Sequence, residues 1–407
     1  MHASAGKGGS WRWAWTTGLV FAAACLLCRA TASSYDPHVP NFYDPYFRSW
    51  FEGWYIRVTP DHVETSGADL PLLTGVGLIL GAMPRGRLGW NISLASLMIQ
   101  EEGQVPLRVL DDTGLQLSSW TGEGDPVTAD PDSDSPPNFT VSSDDGRALL
   151  RMQGDSCTLR ASLGGMRFEA NCTGPPRRWG PDNDTPEGDC AVERLPTQLV
   201  GCHWSVYSLA TPLSWRLVDE GTGAEWRGAG TGHFEKNWGA TFPERYVWAQ
   251  GAAGAGACAP GADRACLPLP SVPTVLEPTA FLVGIRTPGG RDWSFRPWDP
   301  SVVDLQVDGC AGELNMTASA PLLGHRALIT MRAAPQTLTP ITCPTVQAWT
   351  AEVTIELYED EGGWWQRLWG ANAASAPAEV LRFTHAAVEF GGAFQCQSDG
   401  NEWVASL

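Results

Sequence analysis

Two segments combine ionisable side chains with tryptophan more densely than the rest of the chain. The first, residues 51–58, reads Phe-Glu-Gly-Trp-Tyr-Ile-Arg-Val. On a strand, where side chains alternate, Glu52 would share one face with Trp54, Ile56 and Val58. A carboxylate on an apolar face is unfavourable unless it is paired. Glu52 is therefore either half of a buried pair with an arginine or a proton donor whose pKa is raised by burial.

The second segment, residues 233–250, begins His-Phe-Glu-Lys-Asn-Trp-Gly. It holds Lys236, one of only two lysines in the chain, the other being Lys7. The near-complete use of arginine elsewhere suggests that Lys236 has a role that a wide guanidinium does not fill, such as a compact charge or a titratable amine. The alternative is a solvated turn between two strands.

Composition and charge exclude several classes of function. With 43% hydrophobic and 18% charged residues, the chain is too apolar for a disordered protein. Its net charge of −18 opposes binding to nucleic acid and docking on anionic lipid. The histidines occur singly and no zinc, phosphate-loop or serine-hydrolase motif is present, so the sequence predicts neither a metal nor a cofactor.

The pattern of the remaining chain predicts an all-β protein. Alternating runs such as 353–358 are separated by turn residues, and the chain holds 45 glycines and 31 prolines. Four stretches resemble long loops: 122–145, 175–189, 251–273 and 371–378. The second is the best candidate boundary, and it predicts one domain at 35–190 and another at 195–407.

The N-terminal residues indicate entry into the secretory pathway. Residues 1–32 have the basic start, apolar core and small-residue cleavage site of a signal peptide. Five of the nine asparagines lie in glycosylation sequons: Asn91, Asn138, Asn171, Asn183 and Asn315. We expect a secreted or secretory-pathway glycoprotein, the alternative being a plastid-associated protein delivered by way of the endoplasmic reticulum.

Nine cysteines follow the signal peptide, and their scattered spacing favours disulfides. Pairing of neighbours predicts the bonds 157–172, 190–202, 258–266 and 310–343, which would leave Cys396 free.

The two dense segments resemble the tocopherol cyclase family. The resemblance includes the residues at 50–58, 202–204 and 233–250, the Phe-Arg-Pro-Trp-Asp run at 295–299 and the Ala-Ala-Val-Glu-Phe-Gly-Gly run at 386–392. It spans about residues 45–395. It implies two lipocalin-like antiparallel β-barrel domains with long loops, and closure of a prenylated quinol to a chromanol. The signal peptide, sequons and cysteines depart from the plastid enzymes of the family.

That chemistry needs a proton donor, stabilisation of a tertiary cation and an acceptor for the phenol proton. Glu52 or Glu235 could be the acid, His203 or His233 the acceptor, and Lys236 could hold a phenolate. Tryptophan faces could stabilise the cation. The expected substrate-binding residues are Trp54, Tyr55, Trp204, Asn237, Trp238 and Trp248.

Two classes of function stay open. One is the intramolecular cyclase, and the other is a secreted lipocalin-like carrier of a hydrophobic small molecule that performs no reaction. A separate tryptophan-rich segment, with Trp364, Trp365 and Trp369, is either a lid on its own barrel or a weak contact with a membrane interface.

Overall fold

A computed structural model describes residues 51–396, apart from 68, 84–91, 105–106, 121–137, 180–184, 188–200, 240–242, 244, 253–265, 270–280, 288–289, 298, 300, 342–344 and 360–375. Within these residues the fold is all-β. It consists of two curled antiparallel sheets, as expected for two lipocalin-like β domains. The predicted fold class is therefore confirmed.

The first sheet contains twelve strands in the described part of the chain, and its order along the main path is β5-β4-β3-β1-β12-β11-β10-β9-β8-β7-β6. Its strands are β1 (Phe51–Pro60), β2 (Glu64–Thr65), β3 (Leu73–Met83), β4 (Ile92–Glu101), β5 (Arg108–Asp112), β6 (Leu117–Trp120), β7 (Asn138–Ser143), β8 (Ala148–Gln153), β9 (Ser156–Leu163), β10 (Met166–Cys172), β11 (Cys202–Asp219) and β12 (Glu225–Gly239).

The second sheet has ten strands among the described residues, in the order β16-β15-β14-β13-β22-β21-β19-β18-β17, with β20 paired to β21. Its strands are β13 (Arg245–Ala252), β14 (Cys266–Leu269), β15 (Val283–Arg286), β16 (Asp292–Phe295), β17 (Val302–Asp308), β18 (Glu313–Ala320), β19 (His325–Arg332), β20 (Thr339–Ile341), β21 (Thr345–Glu359) and β22 (Glu379–Gly392). A single 3₁₀ turn at Pro335–Thr337 is the helical element in this part of the chain.

Each sheet encloses its own apolar core, and a third apolar cluster lies between the sheets. This third cluster contains Tyr55, Trp204, Trp248 and Trp349, which come from both sheets. The two sheets therefore pack on each other through an aromatic layer.

The structure moves several boundaries that the sequence analysis placed. Strands β11 and β12 belong to the first sheet, so the chain passes to the second sheet between Gly239 and Arg245 rather than between 190 and 195. Strand β7 lies inside the expected loop 122–145, and β14 lies inside the expected loop 251–273. Both strands are short and adjoin segments rich in glycine, proline or aspartate, whose composition indicates a loop.

The disulfides are confirmed in part. Cys157 and Cys172 are bonded as predicted. The predicted 310–343 bond and the free Cys396 are wrong, because Cys310 is bonded to Cys396. The predicted 190–202 bond is also wrong, because Cys202 is a free thiol. The predicted 258–266 bond stays a prediction, because Cys258 lies outside the described residues.

Candidate functional site

The two dense segments of the sequence are neighbouring strands. Strand β1 pairs antiparallel with β12 from Phe51 opposite Gly239 to Pro60 opposite Gly230. Strand β11 pairs with the other side of β12. This three-strand platform, β1–β12–β11, carries every residue of the expected site except Trp248, which lies on β13.

Side-chain alternation divides the platform residues between two faces. In the register, Glu52 lies opposite Trp238, which lies opposite His203, while Trp54 lies opposite Lys236. These five residues form the inner face, which contributes Trp54 to the core of the first sheet. The outer face faces the second sheet and carries Tyr55, His233, Glu235, Asn237 and Trp204.

The inner face holds a buried ion pair. The Nζ of Lys236 lies 2.8 Å from Oε1 of Glu52, and both side chains are fully buried. The ammonium also lies 4.9 Å from the ring centre of Trp238 and 5.5 Å from that of Trp54. The expected arginine partner of Glu52 and the solvated turn at Lys236 are therefore both wrong. Lys236 is a compact charge, as the arginine bias suggested, but it sits between two indoles inside a strand.

A second buried pair continues this face. The Nδ1 of His203 lies 2.9 Å from Oε2 of Glu187, whose Oε1 accepts a hydrogen bond from the Trp204 backbone N–H at 2.8 Å. The imidazole stacks on Trp238 with ring centres 5.2 Å apart. Glu187 lies in the expected loop 175–189, where the sequence offered no signal for it.

The outer face is centred on Glu235. Its Oε2 accepts hydrogen bonds from Nε1 of Trp204 and Nε1 of Trp248, and it lies in hydrogen-bond contact with Nε2 of His233, each at 3.0 Å. Glu235 is buried. Tyr55 lies across the register from Glu235 and packs edge-on against Trp248 with ring centres 4.9 Å apart. The Tyr55 hydroxyl accepts a hydrogen bond from Nε2 of Gln347 at 3.0 Å.

A second carboxyl group, Glu389, faces Glu235 from the second sheet. Burial raises the pKa of Glu389 to about 7, the hydrogen bond from the Tyr246 hydroxyl lowers it, and the charge of Glu235 raises it. Part of the Glu389 side chain stays accessible because it lines a cavity. At neutral pH this group is therefore divided between the protonated and ionised forms.

The cavity lies between the outer face and the second sheet, and its volume is about 150 Å³. Aromatic and aliphatic side chains make most of its wall, with both outer-face carboxyl groups among them. The wall includes Phe51, Gly53, Tyr55, Ile79, Gly81, Trp204, Glu235, Asn237, Tyr246, Trp248, Leu282, Ile341 and Glu389, and Glu52, Trp54, Glu187 and His203 also border it. Apolar walls with a few convergent polar groups are typical of a small-molecule site.

Comparisons with known proteins add little to this geometry. The sequence matches no protein-family profile and no curated protein. Among solved structures, it is similar to a crystal structure described as a "putative AttH" from Nitrosomonas europaea. That match has a TM-score of 0.43 and 11% identity, and it covers 86% of this chain and 94% of that chain.

The structure brings the expected site residues together but not all to the cavity. Of the five expected catalytic residues, Glu52, His203 and Glu235 border it. Lys236 and His233 do not, although His233 contacts Glu235. Of the expected binding residues, Trp238 alone lies off the wall.

Sequence reasoning missed Glu389 and Tyr246 as site residues. Glu389 lies in the 386–392 run on which the resemblance partly rests, so that run was the available signal. Nothing in a linear pattern shows that β22 faces β12 across the gap between the sheets.

Two further features concern metal ions and membranes. Within the described residues, no cluster of three potential metal ligands is found. No helix in the same part of the chain is long and apolar enough to span a membrane. Trp364, Trp365 and Trp369 lie outside the described residues, so their membrane contact stays a prediction.

Proposed function

We propose that the cavity binds a prenylated quinol and that the protein closes it to a chromanol, as a tocopherol cyclase-like intramolecular cyclase. The observation that carries the proposal is Glu389, a carboxyl group with a pKa of about 7 in an apolar cavity wall. Such a group can donate a proton at neutral pH, which an ordinary glutamate cannot do effectively.

Two carboxyl groups divide the acid and base roles in the proposed reaction. The Glu389 proton forms the new C–H bond at one alkene carbon, and the positive charge develops at the tertiary carbon. The phenol oxygen then forms the C–O bond and releases its proton to Glu235. Return of that proton to Glu389 restores the site, so the step is an isomerisation without oxidant or reductant. The rings of Tyr55, Trp204 and Trp248 line the space in which the cation forms.

A carrier without turnover is the second candidate. It is favoured by the hydrogen bonds that both carboxyl groups make within the protein, Glu235 with two indole N–H groups and the His233 imidazole, and Glu389 with the Tyr246 hydroxyl. Carboxyl groups held by such hydrogen bonds can form a static wall as well as a reactive one.

One experiment separates the two functions. The protein is incubated under argon with geranylgeranyl hydroquinone, and the extract is separated by chromatography for the isomeric chromanol. The cyclase proposal expects chromanol with wild type and none with Glu389→Gln, while both proteins bind the quinol. Bound but unchanged quinol in the wild-type extract would support the carrier instead.

We also propose that the protein functions in the secretory pathway. Two disulfides among the described residues are compatible with an oxidising compartment. The sequon residues Asn138, Asn171 and Asn315 are exposed, so each is accessible to glycosylation. Treatment with peptide-N-glycosidase should increase gel mobility, and N-terminal sequencing should begin near Ser33. An unchanged band with residues 1–32 still present would contradict this proposal.

A further inference from the structure

Two glycines lie side by side in the cavity wall. Gly53 of β1 pairs directly with Gly81 of β3, and both line the cavity. The register extends this row across five strands, from Leu94 through Gly81, Gly53 and Asn237 to Trp204. The row therefore has a flat backbone surface in its middle, with an aliphatic side chain at one end and an amide and an indole at the other.

Neither the backbone nor the packing requires glycine at these two positions. Neither residue has the positive φ that favours glycine. A Cβ on Gly53 would approach nothing closer than the Leu80 carbonyl oxygen at 3.9 Å, and one on Gly81 would meet Leu94 at 3.5 Å. Both positions could hold alanine without a clash. What glycine provides there is unfilled space.

Another glycine pair on the same face of β3 shows what such space accommodates. Gly75 and Gly77 lie under the indole of Trp349, whose ring atoms come within 2.7 and 2.6 Å of the Cβ positions. At this pair an aromatic ring of the protein itself covers the glycines. No aromatic ring of the described residues lies within 4 Å of the Cβ positions of Gly53 and Gly81, where Leu94 is the side chain in contact, and the cavity borders both glycines.

We infer that Gly53 and Gly81 form a floor on which a flat, six-membered ring of the ligand lies, with Asn237 beside it to bind a ring hydroxyl. The cavity volume of about 150 Å³ agrees with one benzene-sized ring, since an apolar cavity of ~150 Å³ in another protein binds benzene. A long prenyl tail would then extend beyond the cavity. Asn237 is half-buried and shows no side-chain hydrogen bond to any described residue. This inference rests on the proposed prenylquinol as ligand. It adds that Gly53 and Gly81 select the ring of the quinol rather than its prenyl tail.

The test compares two probes that share a tail. Geranylgeranyl hydroquinone carries the ring, and geranylgeraniol does not. Binding of each is measured by tryptophan fluorescence titration to wild type, Gly53→Leu and, as a structural control, Gly77→Ala. Gly53→Leu should weaken quinol binding by at least about tenfold and change geranylgeraniol binding less than about twofold. Its melting temperature should equal or exceed that of wild type, because the new side chain fills open space.

Gly77→Ala gives the opposite signature. Its Cβ would overlap the Trp349 ring, so it should lower the melting temperature while the folded protein retains its preference for the quinol. Gly53→Ala, the smallest filling change, should weaken quinol binding by a smaller factor than leucine.

Three results would overturn the inference: unchanged quinol binding in Gly53→Leu, an equal loss for both probes, or no preference of wild type for the ring. Chromanol analysis of the same samples keeps the proposed function separate. If Gly53→Leu still forms chromanol, the glycine floor is contradicted and the proposed cyclase activity stands. If the preference for the ring depends on Gly53 but no chromanol forms, the cyclase activity is contradicted and the glycine floor stands.

Discussion

At the scale of residues, the site depends on two glutamates in different surroundings. Oε2 of Glu235 accepts hydrogen bonds from two indole N–H groups and contacts the His233 imidazole. Glu389 accepts a hydrogen bond from the Tyr246 hydroxyl, and burial raises its pKa to about 7. Different hydrogen bonding at two nearby carboxyl groups is the usual way in which proteins assign one as acid and the other as base.

The pH dependence of chromanol formation should follow Glu389. The protonated form is the donor, so the rate should fall as pH rises through about 7. Tyr246→Phe removes a hydrogen bond that lowers this pKa, so the midpoint should move to higher pH. Rates are measured from pH 5 to 9 for both proteins. A midpoint that stays in place in Tyr246→Phe would contradict the assignment.

The free energy of unfolding should also depend on pH through the titration of Glu389. The folded-state pKa of Glu389 lies above its ordinary value of 4.5, so its contribution is complete below pH 4.5 and is lost as pH rises through about 7. Urea unfolding should therefore show a smaller decline in stability between pH 5 and 8 for Glu389→Gln than for wild type. Equal declines would exclude this linkage.

We expect the buried pair of Lys236 and Glu52 to contribute mainly to the stability of the folded protein. Lys236→Met leaves the Glu52 carboxylate buried without its cation, which should lower the free energy of unfolding by ~3–5 kcal/mol. The double variant Lys236→Met/Glu52→Gln should recover most of that loss. Lys236→Arg should also destabilise, since a wider group must fit between Trp54 and Trp238. Urea unfolding at pH 7 measures all three, and equal stability of the single and double variants would contradict the argument.

Among the secondary-structure elements, strand β12 places neighbouring residues of the 233–239 segment in two different environments. Consecutive residues Glu235 and Lys236 point to opposite faces, the first toward the second sheet and the second into the core of the first.

Two disulfides connect other elements of the fold. The Cys157–Cys172 bond joins the two strands of the β9–β10 hairpin, and the Cys310–Cys396 bond joins the β17–β18 turn to the residues after β22.

The two disulfides should contribute unequally. They close loops with sequence separations of 15 and 86, and the larger loop loses more unfolded-state entropy when it is closed. Cys310→Ala/Cys396→Ala should therefore destabilise by about 1–2 kcal/mol more than Cys157→Ala/Cys172→Ala. Urea unfolding compares the variants, and non-reducing peptide mapping should recover a 310–396 peptide pair. A 310–343 pair would refute the connectivity.

At the scale of the whole molecule, the cavity exists because the two sheets pack together. Arg57 of β1 crosses this interface, with Nη1 donating to Oε1 of Gln250 at 2.8 Å and Nη2 to the His385 carbonyl at 2.8 Å. Its guanidinium also lies 5.1 Å from the ring centre of Trp349. Arg57 is buried, and burial lowers its pKa.

Removal of the Arg57 hydrogen bonds between the sheets should lower the stability of the protein and weaken its binding of the quinol. Arg57→Met leaves the Gln250 and His385 oxygens without their donor, at ~1–3 kcal/mol for each group that stays buried. The variant should also bind the quinol more weakly, because the cavity walls come from both sheets. Arg332→Met, which removes an exposed pair with Glu313, is the control and should change stability by less than ~0.5 kcal/mol. Equal effects of the two substitutions would deny Arg57 this role.

The class of fold and the strands that carry the chemistry could be predicted from the amino-acid pattern. Alternation and turn residues predict an all-β chain because each strand must bury one face, and the density of tryptophan and charge identifies β1 and β12. The bond between Cys157 and Cys172 was also predictable, because the two cysteines flank a hairpin and are close along the chain.

Which of these residues share a site depends on how the two sheets pack on each other. Alternation places Glu235 and Lys236 on opposite faces, but it does not say which face meets the second sheet. That choice comes from the packing of the sheets, which brings Glu389 and Tyr246 to Glu235 across a sequence separation that no local pattern spans. For the same reason the sequence paired Cys310 with its neighbour, whereas folding brings Cys396 to it.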